Sequence, residues 1–119
     1  MVDQQTELEI IGIEKDHDIQ SAIVLLEEGF LSAKEYWLSV FSRRLINNEK
    51  YGFLLKINNE HVGVILYFTN NLDSAGDNLK MINLSSWYVR EQYRVFAPYL
   101  LLKVMEDNQD KSMFTNFAA

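Results

Sequence analysis

The stretch "SSWYVREQYRVFAPYLLLKVM", residues 85–105, decides how this chain reads. It opens on a β-rich run that ends at Val89–Arg90, passes through the polar turn "REQYR", and becomes helical at "APYLLLKVMEDN". Pro98 suits a first helical turn, because the N–H it lacks has no intrahelical partner there. The helix is predicted to start within a residue or two of Pro98, with Phe96 or Ala97 as its cap. Pro98, Leu101, Leu102 and Met105 share one helical face at the expected spacing. A strand running into a helix start gathers main-chain N–H groups and the positive end of a helix dipole, which together favour an anion. Here that junction has no glycine and holds the only proline of the chain.

Outward from the junction, the pattern predicts a strand over 7–13, then a helix with Asp16 or Asp18 as N-cap. Ile19, Ala22, Ile23, Leu26 and Phe30 form its apolar face. A second helix begins at "LSAKEYW", where Ser32 and Glu35 have capping-box spacing. Trp37, Val40, Phe41, Arg44 and Leu45 continue its stripe. "YGFLLKI" and "HVGVILYF" flank the short turn "NNE" as a hairpin. "TNNLDSAGDN" reads as a loop, "KMINLSSWYV" as the fourth strand and "SMFTNF" as a short fifth strand. The order is β-α-α-β-β-β-α-β, a single α/β (α+β) domain over 1–119 with a mixed, mostly antiparallel sheet.

Composition bounds the function. The 119 residues suffice for one core, and 48% apolar content excludes a disordered chain. No run approaches a membrane span, and "MVDQQTELEI" lacks the basic-then-apolar pattern of a signal peptide. With no cysteine, disulfides, thiolate metal sites and a cysteine nucleophile are excluded, which fits a cytoplasmic protein. A net charge of −6 disfavours nucleic acid and anionic membrane as partners and suits an amine-bearing acceptor.

This order, with two helices after the first strand, resembles the GCN5-related N-acetyltransferases. "SSWYVREQYR" looks like that family's fourth strand and following turn, "YLLLKVME" like the next helix, and "MFTNF" like its fifth strand. The family pattern Gln/Arg-x-x-Gly-x-Gly/Ala falls on Arg94, Val95, Phe96, Ala97, Pro98 and Tyr99. Arg94 fits; Ala97 and Tyr99 replace the small residues. The resemblance implies that acetyl-CoA, or a related acyl-CoA, lays its pantetheine arm between splayed fourth and fifth strands. It would bond main-chain groups at Trp87 and Val89, near Asn116. The pyrophosphate would sit on N–H groups of Val95, Phe96, Ala97 and Tyr99, with Arg94 adding charge. Pro98 removes one donor, and a hydrogen bond to a charged group is worth roughly 1.5–3 kcal/mol. Pro98→Ala is therefore expected to strengthen binding.

The rival readings are a non-catalytic binding or assembly module that keeps the fold, and an α+β interaction domain with no cofactor. No catalytic residue is assigned by the resemblance, since the helix that carries the family's thiolate acid is absent here. Tyr88 reads as a core aromatic with a satisfied hydroxyl, and Glu27 and Glu28 as a solvated pair. His17 suits capping electrostatics and His61 an exposed strand start, so no metal is expected. Met113, Phe114 and Phe117 on the last strand leave an apolar sheet side open, so a homodimer, or a longer polypeptide, is expected to cover it.

Overall fold

The computed structural model describes residues 6–46, 51–74, 77–109 and 112–117. Five strands form one sheet in the order β1-β2-β3-β4-β5: β1 (Leu8–Gly12), β2 (Gly52–Ile57), β3 (Glu60–Ser74), β4 (Asp77–Val89) and β5 (Ser112–Phe117). The first four are antiparallel and β5 lies parallel to β4. Helices α1 (Asp16–Phe30) and α2 (Lys34–Ile46) cover one face, and α3 (Ala97–Asp107) covers the other. The element order is the one predicted.

Strands apolar on both sides follow from this layering. Leu54, Val64 and Leu66 pack with Ile23, Leu26, Trp37 and Phe41 beneath α1 and α2. Their neighbours Phe53, Leu55, Ile65 and Tyr67 pack with Leu100 and Val104 of α3. Each such fully buried aliphatic chain is worth roughly 1.5–3 kcal/mol. Asn58 and Asn59 turn the β2–β3 hairpin with φ of 50° and 67°. Two successive positive values are what a type I′ turn needs, and asparagine tolerates them. Asn58 also ties β1 to the turn: its N–H donates to Glu7 O and its Oδ1 accepts from Glu7 N, both at 2.9 Å.

Several local expectations are corrected. The polar stretch around residues 70–80 is not a loop: β3 runs to Ser74 and β4 restarts at Asp77, paired Ser74↔Asp77 through Thr69↔Ile82. Turn-type composition yielded to continuous cross-strand pairing. Lys15, not an aspartate, holds the α1 N-cap position. An ammonium has no lone pair, so only the reciprocal half of a capping box exists: Asp18 Oδ2 accepts from the N–H of Lys15 at 3.0 Å and of Glu14 at 3.2 Å. Likewise α2 begins at Lys34, and Ser32 Oγ donates to Phe30 O instead of capping it. In α1 the buried set includes Leu25, while Phe30 is exposed. Phe30 instead meets Trp37 at 5.8 Å between ring centroids. The side chains of Arg44 and Leu45, and those of β5, lie outside the described residues.

The largest correction concerns α3. Leu100 and Val104 are fully buried, with Ala97 and Leu101 packed beside them. The predicted face fails: Leu102 is 55% and Met105 44% exposed. Nearly every position from 97 to 105 is apolar, so two different faces satisfy the same spacing.

Candidate functional site

The site is built by the way β4 ends. Opposite Leu66 and Tyr67 the register shifts, and Ser85 is the extra residue of a bulge. The bulge resets the alternation, so Ile82, Leu84, Trp87 and Val89 all join the α3 side. Tyr88 packs on the α1 side. Arg90 N–H donates to Val62 O at 2.9 Å directly across the ladder. Counting back by the antiparallel rule, Tyr88 and Ser86 bond to β3, while Val89 and Trp87 turn their main-chain groups toward the β5 side. Yet the described β4–β5 pairing runs only from Lys80↔Ser112 to Leu84↔Phe117. Residues 85–89 of β4 lie beyond the last described β5 partner.

A cleft of about 400 Å³ opens beside this end of β4, lined by Trp87, Val89, Arg94, Ala97 and Pro98. Four of the residues singled out in the sequence are thus brought together. Arg94 Nε–H donates to Val89 O at 3.0 Å, so the guanidinium braces the end of β4. The other singled-out positions lie around this group. Val95 is 77% exposed; Phe96 is the α3 N-cap, and its ring stacks on Tyr99 with centroids 6.4 Å apart. Asn116 is in β5, but its side chain lies outside the described residues.

The connection itself is not the open polar turn expected. Glu91–Phe96 form a 3-10 helix that passes straight into α3. The strand ends at Val89 as expected and α3 starts at Ala97, but the expected non-helical entry to Pro98 fails, since helix runs unbroken from Glu91 through Pro98. The main chain between them is helical throughout. Within it the Tyr93 N–H turns back onto Arg90 O and the Ala97 N–H onto Arg94 O, each three residues earlier.

A second cluster escaped the sequence reading as a unit. Tyr88 OH donates to Glu28 Oε2 at 2.6 Å, Arg90 Nε and Nη2 hold the same carboxylate at 3.0 and 3.1 Å, and Arg90 Nη1 reaches Glu60 at 3.0 Å. Residue 29 is glycine because a Cβ there would overlap the Tyr88 ring. Tyr88 and Arg90 stand two apart at the end of β4, and Glu28 precedes a glycine in the last turn of α1. That pairing was the available signal. The Tyr88 hydroxyl bond, then the Arg90 bond, lowers the Glu28 pKa below its ordinary value. The same bond to Glu28, with burial, raises that of Tyr88. At neutral pH the carboxylate is ionised and the phenol keeps its proton, so neither is tuned as a general base. They clasp the end of β4 to α1.

The histidines stand apart from both clusters. His17 Nε2 lies 3.3 Å from Asp18 Oδ1. His61 is half-buried, not exposed as expected; burial first, then the nearby Lys56 charge, lowers its pKa. Among the described residues no group of His, Asp and Glu could hold a metal ion, and no helix is long and apolar enough to cross a membrane.

No protein-family model matches the sequence, and neither does any curated protein sequence. Solved structures do match. The aminoglycoside N-acetyltransferase AAC(6')-Iy in complex with CoA superposes with a TM-score of 0.74 at 14% identity, over 98% of this chain and 81% of that one. A Trypanosoma brucei acetyltransferase gives 0.68 at 15% identity, over 92% and 83%. Arabidopsis thaliana Naa50, bound to the bisubstrate analogue CoA-Ac-MVNAL, gives 0.65 at 16%, over 90% and 69%.

Proposed function

We propose that this chain, which has the GCN5-related N-acetyltransferase fold, transfers an acyl group from an acyl-CoA thioester to an amine-bearing acceptor. The observation that carries this reading is the cleft beside the end of β4, beyond its last described β5 partner, where Trp87, Val89, Arg94 and Ala97 come together. An extended amide-bearing arm laid there would run along β4 as a further strand does, meeting the main chain of Trp87 and Val89. The surrounding positions Val95, Phe96, Tyr99 and Asn116 belong to the same proposed site. Arg94 serves it by holding the Val89 carbonyl in place.

In the reaction the acceptor nitrogen attacks the thioester carbonyl carbon. A C–N bond forms, the C–S bond breaks, the nitrogen gives up one proton, and the departing thiolate takes one up. No described side chain is assigned to either proton. The negative charge of the chain favours a cationic acceptor. We further propose that the chain acts as a homodimer.

Calorimetry with acetyl-CoA at low salt tests the reading, followed by thiol release in the presence of small amines. Binding that is weakened by about tenfold in Arg94→Ala is expected, the size of one lost charge-assisted contact. Binding without thiol release across amine classes would favour the non-catalytic module. An absence of heat at millimolar ligand would remove the acyl-CoA reading altogether.

A further inference from the structure

We infer that Glu28 is a positioning residue for the cleft: through Tyr88 and Arg90 it fixes the end of β4, which forms one wall of that cleft. The inference rests on the proposed acyl-donor reading and adds to it a residue that acts from the opposite face of the strand.

The way β4 ends makes a brace necessary. Trp87 and Val89 line the cleft and pack on the α3 side. Their segment follows the bulge at Ser85 and lies beyond the last described β5 partner. Among the described residues it is therefore paired along its β3 edge alone. A strand end with a bulge behind it and one paired edge gives way more readily than one held on both sides. Side chains must then hold what the ladder does not.

From the cleft side, Arg94 Nε–H donates to Val89 O. Val89 also fills the space left by Gly63, where a Cβ would come within 2.9 Å of it. From the α1 side the brace is Glu28. Its carboxylate accepts from Tyr88 OH at 2.6 Å and from Arg90 Nε and Nη2 at 3.0 and 3.1 Å. Tyr88 and Arg90 alternate with Trp87 and Val89 along the chain, so holding the first pair sets the twist of the strand end and the direction of the second. The clasp is itself confined. Gly29 leaves no room for a Cβ beside the Tyr88 ring, and Arg90 Nη1 is anchored at 3.0 Å to Glu60, the first residue of β3.

The size of the effect is bounded. The side chains of Glu28 and Arg90 are 38% and 27% exposed, so the clasp has the strength of a surface pair. The affinity it can transmit to the cleft is no more than about fivefold. Charge and position predict opposite signs. Acetyl-CoA is a polyanion, and Glu28→Gln removes a negative charge and releases the Arg90 cation, so charge alone would tighten binding. Loss of position weakens it.

Calorimetry with acetyl-CoA on the full chain, well below the melting temperature, compares the parent with Glu28→Gln, Tyr88→Phe and Asp18→Asn. Binding weakened about three- to fivefold is expected in Glu28→Gln, and about threefold in Tyr88→Phe, which changes no charge. Asp18→Asn alters the carboxylate that accepts N–H groups at the start of the same helix. It loosens the fold and removes the same charge as Glu28→Gln, yet should leave the affinity unchanged. Unchanged or tighter binding in Glu28→Gln overturns the inference and leaves the acyl-donor reading standing. An equal loss in Asp18→Asn does the same, since it would mark a general loosening. No binding by the parent at millimolar ligand overturns both. If Glu28→Gln does not fold, Tyr88→Phe decides alone, and an affinity equal to the parent's rejects the positioning role.

Discussion

Among the described residues, Glu28 and Asp18 are the carboxylates that folding makes more acidic. For Asp18, burial alone would raise the pKa. The N–H groups of Lys15 and Glu14 and the charges of His17 and Lys15 outweigh it, so the net shift is down. For Glu28 the Tyr88 hydroxyl and Arg90 lead. Folded values below unfolded ones mean that both groups contribute fully above the ordinary values of 3.8 and 4.5 and lose that contribution as pH falls through the folded values. The Glu28 side chain is 38% exposed, so its clasp sits at the upper end of a surface ion pair, about 1 kcal/mol. The double variant Asp18→Asn, Glu28→Gln should be less stable at pH 7 and lose less on going to pH 3 than the parent. Urea midpoints at the two pH values check this; parallel losses would refute it. Gly29→Ala tests the same clasp sterically. Alanine should gain about 1 kcal/mol in an ordinary helix, but here its Cβ meets the body of the Tyr88 ring, and overpacking costs about 1–3 kcal/mol. A lower melting temperature is expected, and a raised one would mean that Tyr88 is free to move aside.

At the scale of elements, the sequence reading succeeded where chemistry is local and failed where rotation or register is set from afar. Asn58-Asn59 announced its hairpin because side chains that tolerate positive φ are rare. Asn59→Gly should therefore raise the unfolding free energy by some tenths of a kcal/mol; thermal melts measure it. The end of β4 and the start of α3 were legible from Pro98 and the change of period. The helical phase of α3 was not, since "APYLLLKVM" is apolar nearly all round. Leu100→Ala should cost about 3 kcal/mol, and Leu102→Ala should be close to neutral. Equal losses in chemical denaturation would return the helix to the face first predicted. The bulge at Ser85 was equally hidden, because Leu84 and Trp87 share a face only once an extra residue is inserted between them. The four cleft residues were found through the strand–helix context. The helical closure behind them was not, since nothing in "REQYRVF" separates an open turn from a 3-10 helix.

For the whole molecule, the unexpected length of the β3–β4 hairpin changes its shape. The principal extents are 57 × 33 × 25 Å and the radius of gyration is 15.1 Å, against about 13.5 Å for a compact domain of this length. β2 accompanies β3 only as far as Leu66. From Thr69 to Ser74, β3 has β4 on one side and, among the described residues, no strand on the other. Proteins blunt such edges with charged side chains, proline or bulges; "TNNLDS" has a single charge, Asp73, and no proline, and pairing with β4 is regular there. An edge strand is self-complementary about a two-fold axis, because an identical strand laid antiparallel always matches its hydrogen-bonding groups. The sequence had placed the uncovered surface at the fifth strand; the backbone adds a longer edge at the far end of the hairpin. A dimer paired through residues 69–74 is the expected outcome. Sedimentation at micromolar concentration should find two copies. Asn71→Lys, which brings two like charges together near the axis, should return the chain to a monomer without lowering its melting temperature at low concentration. A parent chain that sediments as a monomer, or a lysine variant that still dimerises, would move the interface elsewhere.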